Sequence, residues 1–503
     1  MNLAIHWPLW MAPPALGALL VWLGPHARAR ALATGTTTLT LGLALLAPMT
    51  GPRVDVSTTS ALTLTSLLAL STVVASPRQS TRRSHLVALL LTQGATLGLF
   101  LATDLRWKLG LFIAMGLPWS LPFLREEPTP TSPRPWRAAR LYWLLATVPP
   151  LVAMAAALLG GPAAMTPSAL ASPHSWRAGL CALVLLGVCT RLAMVPLHGW
   201  LPLLMARGPL VMAALWMNVL VSLQLLTRFL PSLTTTHWAF IAPTLECLGA
   251  GTAMYGALLA LVQVDLRRML AFLVVSQSGM LLAGAATGTQ AGLDATWLQG
   301  LAASIAFCGL ELVTRALEAR TGTTDMRRLG GLTSRAPRMA ALFLLLCLAG
   351  LGLPGTLAFT SEDLLLRGTL GLHPWRTLPL LPALALNAIT LLRAFHRTFL
   401  GPLPEARGAA PLPLQDLLPR ERWTLTALVL VLALTGLGPS LPRRRPLPSR
   451  AVSPSTQATG CHRTDLEPSR SPLPAWTPSS ASPKPLAASP RASSPAPSPS
   501  PSS

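Results

Sequence analysis

The chain has 503 residues, 51% of them hydrophobic and 11% charged. Apolar runs of about 20 residues recur between short loops, the pattern of a polytopic helical membrane protein, and they lack the alternation of outer-membrane strands. The net charge of +22 is not a nucleic-acid signature, because only Lys108 and Lys484 are lysines and most of the arginines fall in alternate loops.

The fold class expected is all-α and polytopic, with about 14 transmembrane helices. In chain order they fall near residues 5–24, 31–49, 58–76, 85–103, 109–124, 138–160, 178–205, 209–230, 238–262, 268–287, 292–317, 339–371, 377–399 and 423–440. The first run, MNLAIHWPLW onward, lacks a basic leader and is read as a membrane helix rather than a cleaved signal. Arg28, Arg30, Arg78, Arg82, Arg83, Arg125, Arg134, Arg137 and Arg140 lie in loops on one side, joined by Arg267, Arg268, Arg320, Arg327, Arg328, Arg335 and Arg338. The positive-inside rule makes that side cytoplasmic and puts both termini outside. Cys181, Cys189, Cys247, Cys308 and Cys347 sit in apolar helices without metal-like spacing and read as small buried hydrophobes; Cys461 is alone in the tail.

Two expected helices are too long and interrupted. The seventh contains RLAMVPLHGWLP at 191–202, in which Arg191, Pro196, His198, Gly199 and Pro202 break an apolar run. The twelfth contains LAGLGLPGTLAFTSEDLLL, with Pro354 and Gly355 at the break and Glu362 and Asp363 beyond it. Broken helices at membrane depth survive only where protein or a water-filled cavity surrounds them. The breaks lie about 154 residues apart and the fourth and ninth helices start about 153 apart, the spacing of two five-helix repeats, helices 4–8 and 9–13. An odd number of spans per repeat makes the second inverted, and paired breaks in inverted repeats point to a transport site. The division expected is 1–84 for three N-terminal helices, 85–401 for the transporter core, 402–440 for a last helix and its loop, and 441–503 for a disordered tail rich in Pro, Ser and Arg.

These segments resemble the antiporter-like membrane subunits of proton-pumping NADH–quinone oxidoreductase, the M-type above all. VPLHGWLP at 195–202 matches that family's broken seventh helix, with Arg191 in the position of its lysine. LVQVDLRRMLAFLVVSQSGM at 261–280, TGTTDMRRLGGL at 321–332, GLPGTLAFTSEDLLL at 352–366, FHRTFLG at 395–401 and LLLTQGATLGLFLATDL at 89–105 resemble further family segments, in the right order over about residues 85–401. The absence of a long lateral helix after residue 440 fits M- or N-type size better than L-type.

The resemblance implies a subunit with no redox centre and no bound cofactor, NADH and quinone being handled by partner subunits. It implies other membrane subunits and the bilayer as partners, and the bacterial inner membrane as the location. It also implies an electrostatic relay of buried Lys, Glu and His along a midplane axis, in which one charge shifts its neighbour's protonation. Transferred residue by residue, the helix-5 glutamate falls on Ile113, the helix-8 lysine on Leu220, the helix-10 histidine on Gln277 and the helix-11 histidine on Ala303. The helix-12 acid remains as Glu362. Arg191 stays protonated and cannot release a proton in a cycle, so it is a fixed charge in need of a partner. Glu311 and Glu246 are the intramembrane acids on offer, while either also suits a loop-side or interfacial position. His198 suits a proton shuttle or a residue that satisfies freed backbone groups. Asp265 with Arg267 and Arg268 reads as a helix-end charge cluster.

The candidate proton path is therefore Arg191, His198, Gln277, Glu311, Glu362 and Asp363. The function expected is coupling of electron transfer to proton translocation within an NADH–quinone oxidoreductase-like complex. The alternatives are a non-conducting structural subunit, a Mrp-type cation/proton antiporter and an ion-coupled bicarbonate-uptake subunit.

Overall fold

The computed structural model describes residues 7–50, 56–77, 82–120, 134–159, 175–207, 211–229, 235–371, 373–400 and 415–437. The tail expected at 441–503 lies outside them. Among the described residues the secondary structure is helical throughout, apart from one isolated bridge between Asp265 and Asp325.

The first helices are α1 (Trp7–Leu23), α2 (Ala29–Leu46), α3 (Val56–Ala75), α4 (Arg83–Leu101), α5 (Leu105–Ser120) and α6 (Arg134–Leu159). The seventh expected helix is two pieces, α7 (Ser175–Arg191) and α8 (Trp200–Arg207). Then come α9 (Val211–Phe229), α10 (Thr235–Val262), α11 (Leu266–Ala286) and α12 (Gln290–Thr321). The twelfth is also divided, into α13 (Pro337–Gly350) and α14 (Leu357–Leu370). A short turn α15 (Pro374–Thr377), α16 (Leu380–Phe395) and α17 (Pro419–Leu437) complete the described helices.

Among the described residues, six helical stretches are long and apolar enough to cross a membrane, including Val56–Ala75, Leu266–Ala286 and Gln290–Thr321. Leucines such as Leu141, Leu158 and Leu434 are more than half exposed on outer faces, which suits contact with lipid tails and not with water. Inside, helix association rests on close packing, since lipid removes the hydrophobic drive. The pair α10 and α11 shows this best. A Cβ on Gly279 would stand 2.4 Å from the backbone N of Ala253, and one on Gly249 would stand 2.6 Å from that of Ala283.

Helix ends buried in a membrane must dispose of their free carbonyls and N–H groups. Arginine and lysine do this at the C-termini of α3 and α4. Arg30 donates to Val73 O at 2.7 Å and to Val74 O at 3.0 Å, and also reaches Ser76 O. Lys108, on α5, is buried and its Nζ donates to Leu99 O at 2.8 Å. At the start of α11 the expected charge cluster is a cap: Asp265 Oδ1 accepts from Arg268 N at 3.0 Å, and Thr324 Oγ1 donates to Asp265 Oδ2 at 2.5 Å.

Candidate functional site

Each break has its own internal accounting. In the first, Leu192 N donates to Val188 O at 2.9 Å and Met194 N to Cys189 O at 3.0 Å, which closes the last turn of α7. Ala193 there has φ 54°, a left-handed conformation unusual for a residue with a Cβ. Trp200 Nε1 takes up Thr190 O at 2.9 Å, and Val195 N donates to Thr252 Oγ1 on α10 at 3.3 Å. Pro196 and Gly199 sit in this segment, and Pro202 lies in the first turn of α8. In the second break Leu353 N donates to Leu348 O and Thr356 N to Leu353 O, each at 3.0 Å. Gly352 and Gly355 have φ 71° and 93°, values that only glycine adopts freely. Pro354 stands between them.

Arg191, at the last position of α7, is 1% exposed. Its Nη1 donates to Asn218 Oδ1 on α9 at 3.2 Å, and Asn218 in turn donates to Ala214 O. The guanidinium carbon lies 3.8 Å from the ring centroid of Phe112 on α5. A desolvated cation over a ring face is worth roughly 2 kcal/mol. The α5 residue against this charge is thus Phe112, one position before the Ile113 expected from the resemblance.

The two intramembrane acids offered to Arg191 are engaged elsewhere. Glu311 Oε1 lies 2.6 Å from Arg315 Nε, one turn further along α12, and both side chains are 3% exposed. Glu246, on α10, meets Arg376 Nη1 at 3.3 Å and His373 Nδ1 at 3.1 Å. The reason is local: an i,i+4 cation serves Glu311 directly, and the α14–α15 turn carries two basic residues over Glu246.

Glu362 on α14 is the centre of the second constellation. Its Oε1 lies 3.5 Å from Gln299 Nε2 on α12, and the same amide donates to Gln277 Oε1 on α11 at 2.9 Å. Ser361 Oγ donates to Gln299 Oε1 at 2.5 Å. A Cβ on Gly352 would stand 2.5 Å from Glu362 Oε2, so the bare backbone of the break is what leaves room for the carboxyl. Nearby, Asn387 Nδ2 donates to Ser276 Oγ at 2.9 Å, which binds Ala253 O.

Asp363 is not part of this group. It is 49% exposed and pairs with Arg367 at 2.9 Å. His198 is half-buried, with its ring edge-to-face on Tyr255 at 5.1 Å and tilted to Phe272 at 6.3 Å. The structure therefore joins Gln277 to Glu362 and places Arg191, His198, Glu311 and Asp363 in separate surroundings. Sequence reasoning missed Gln299. A glutamine one turn before Ala303 in a 32-residue apolar helix was the available signal, since polar side chains at this depth are rare.

An apolar contact adjoins the second constellation. Above Gly300, next to Gln299, stand Leu223 and Leu220 from α9, their methyl carbons 3.2 and 3.4 Å from where a Cβ would be. Trp216 and Phe307 stack nearby, with centroids 6.0 Å apart. Leu220 and Leu223 are fully buried.

Known proteins resemble the chain in sequence and in fold. Residues 143–385 match the transmembrane family described as NADH:quinone oxidoreductase/Mrp antiporter. Those residues make up a little under half of the chain. They include both helix breaks, Arg191 and Glu362. NADH-quinone oxidoreductase subunit M of Escherichia coli (strain K12) is 32% identical over 251 residues, 50% of this chain and 49% of that protein. The chain therefore spans about half the length of the subunit M relatives it matches. A chain of respiratory complex I from Thermus thermophilus is 27% identical and superposes with a TM-score of 0.73, over 86% of this chain and 95% of that one. A chain of the Mrp complex from Dietzia sp. shares the fold at a TM-score of 0.72 and 21% identity, over 87% of this chain and 95% of its own. The protein is accordingly a multi-pass membrane protein with the antiporter-like fold, and no group of His, Cys, Asp and Glu among its described residues is placed to hold a metal ion.

Proposed function

We propose that the chain is a proton-translocating membrane subunit of an NADH–quinone oxidoreductase-like complex. The observation that carries this reading is Glu362, an acid held at the second helix break against Gln299 and the bare backbone of Gly352. It is the one member of the Gln277–Gln299–Glu362 set that can take up and release a proton. Gln277 and Gln299 carry no exchangeable charge; Gln299 donates to the carboxyl and is itself oriented by Gln277, which accepts from the same amide. Arg191 serves as a permanent positive charge and His198 as a further exchangeable group at the first break, while Glu311 is held by Arg315. Asp363 would act at the outer face of α14. NADH and quinone would be used by partner subunits, with this chain binding no cofactor and contributing no redox centre.

The same reading takes residues 85–401 as the transporter core, with 1–84 and 402–440 flanking it and 441–503 as tail. Of about 14 spans, α4–α9 and α10–α16 would be the two inverted repeats, each with its break. The starts of α2, α4 and α17 all carry arginine, which supports a cytoplasmic Arg-rich side in a bacterial inner membrane with both termini outside.

A second reading has its own observation. Leu220 and Leu223 pack over Gly300, beside Gln299, and Leu220 stands where the resemblance sets the relay's helix-8 lysine, as in a structural subunit that no longer conducts. One experiment divides them. The assembled complex is reconstituted in vesicles and proton uptake per electron is compared for wild type and Glu362→Gln. A large loss supports translocation through this chain; unchanged uptake sinks it and leaves the structural reading.

A further inference from the structure

A cavity of about 1370 Å³ opens among the ends of the first four helices and the start of α17. Trp22 from the end of α1, Arg30 from α2, Arg82, Arg83 and Ser84 at the start of α4, and Arg420 at the start of α17 line it. Its described lining holds no acid. Glu421, in the first turn of α17, is not among the lining residues and is bonded to Arg320 at 2.5 Å.

This arrangement runs against what helix ends prefer. The first turn of a helix carries partial positive charge and favours acidic side chains. Neither α2 nor α4 has an acid in its first turn, and both have arginine there instead. Three positive helix ends and four guanidinium groups thus converge on one volume. The repulsion is relieved by an anion, and free N–H groups at helix starts are suited to bind one. Arg420 Nε is buried without a hydrogen-bond partner among the described residues. Arginine rather than lysine fits phosphate, because its planar fork donates two parallel hydrogen bonds.

The depth of the cavity identifies the source of the phosphate. Trp22 is 46% exposed at a helix end, where indole rings mark the headgroup level of a bilayer. Arg83 lies 6.0 Å from its ring and donates to Val21 O at 2.5 Å. Leu19, Leu20 and Leu23 are more than half exposed beside it on α1, an apolar flank along which acyl chains can lie. We propose that this cavity binds the phosphate of an anionic phospholipid headgroup, with Arg82, Arg83 and Arg420 as phosphate ligands and Trp22 at the glycerol level. Arg30 shapes the floor while it caps α3. Basic pockets between membrane helices are physically suited to such headgroups.

The test uses the purified full chain in detergent, with phosphatidylglycerol and phosphatidylcholine as probes and native mass spectrometry as the readout. The chain should retain phosphatidylglycerol in preference to phosphatidylcholine. The double variant Arg82→Gln/Arg420→Gln should weaken retention by about tenfold or more. The charge-matched control Arg327→Gln/Arg328→Gln, on an exposed loop elsewhere, should leave it unchanged. Equal retention of the two lipids, or equal loss in both double variants, overturns the site. Full displacement of the lipid by millimolar inorganic phosphate overturns the lipid as its occupant and marks a free-anion site. Matching thermal unfolding midpoints for the two variants show that any loss is not misfolding, and circular dichroism of each confirms that the helices are intact.

Discussion

At residues 192–199 a permanent cation faces an aromatic ring and an amide; at 351–356 a carboxyl faces an amide and bare glycine backbone. Both breaks close their freed backbone groups in much the same way, through short-range turns and a few side-chain donors. Only the chemistry at their edges differs. Arg191 keeps its proton throughout, whereas Glu362 is a group that can exchange one. The difference teaches that a broken helix supplies a polar, sheltered place in the membrane, and that the residue put there decides whether the place can exchange a proton.

The comparison is broken most directly by substituting the two charges in parallel. Glu362→Gln should lower proton uptake per assembled complex by about a hundredfold, the lower range for losing a positioned acid–base group. Arg191→Gln should lower assembly yield while leaving uptake per assembled complex within about threefold. Equal losses of uptake from both would show that the first break conducts as well.

A smaller effect probes the room made for the carboxyl. Gly352→Ala forces a Cβ at φ 71° and toward Glu362 Oε2, and should destabilise the chain by about 1–3 kcal/mol in detergent unfolding. Gly251→Ala, where a Cβ meets nothing within 4 Å, is the control and should be neutral or slightly stabilising. At the first break, Phe112→Leu keeps bulk but removes the ring face from Arg191, for an expected loss of about 1–2 kcal/mol in the same measurement. A neutral result there would leave Asn218 as the main support of the charge.

The smallest effect lies away from both breaks. Asp104, in the loop between α4 and α5, accepts hydrogen bonds from Arg106, which hold its carboxyl below the usual carboxylate range. A carboxyl lowered on folding contributes stability at pH values above its unfolded value. That contribution is lost as pH falls through the lowered folded value. The pair is exposed, so Asp104→Asn should shift the unfolding midpoint by only about a degree at neutral pH, and by less in acid.

Much of the frame was legible because proline and glycine act locally. Pro196 beside Gly199, and Pro354 beside Gly355, mark the two interruptions, and the helices break there, whereas Pro149, Pro150 and Pro243 stand inside unbroken helices. The partners of charges were not legible, because they depend on helix rotation and on packing between distant segments. One residue of register on α5 puts Phe112 rather than Ile113 against Arg191. Glu246 meets Arg376 and His373 from a turn some 130 residues later in the chain, a pairing that no spacing rule predicts. Gln299, the hub of the second constellation, stands at a position to which the resemblance assigns no relay residue, so its role follows only from its contacts.

The closeness of α17 to the second break has a consequence for the order of synthesis. A Cβ on Gly436 would stand 2.3 Å from the carbonyl carbon of Thr356, so this helix lies directly on the chain at the break. A chain made from its N-terminus presents residues 351–356 to the membrane well before α17 leaves the ribosome. Until then the break lacks one of its walls. That side of the break therefore stays uncovered while α14, α15, α16 and the residues before α17 are translated.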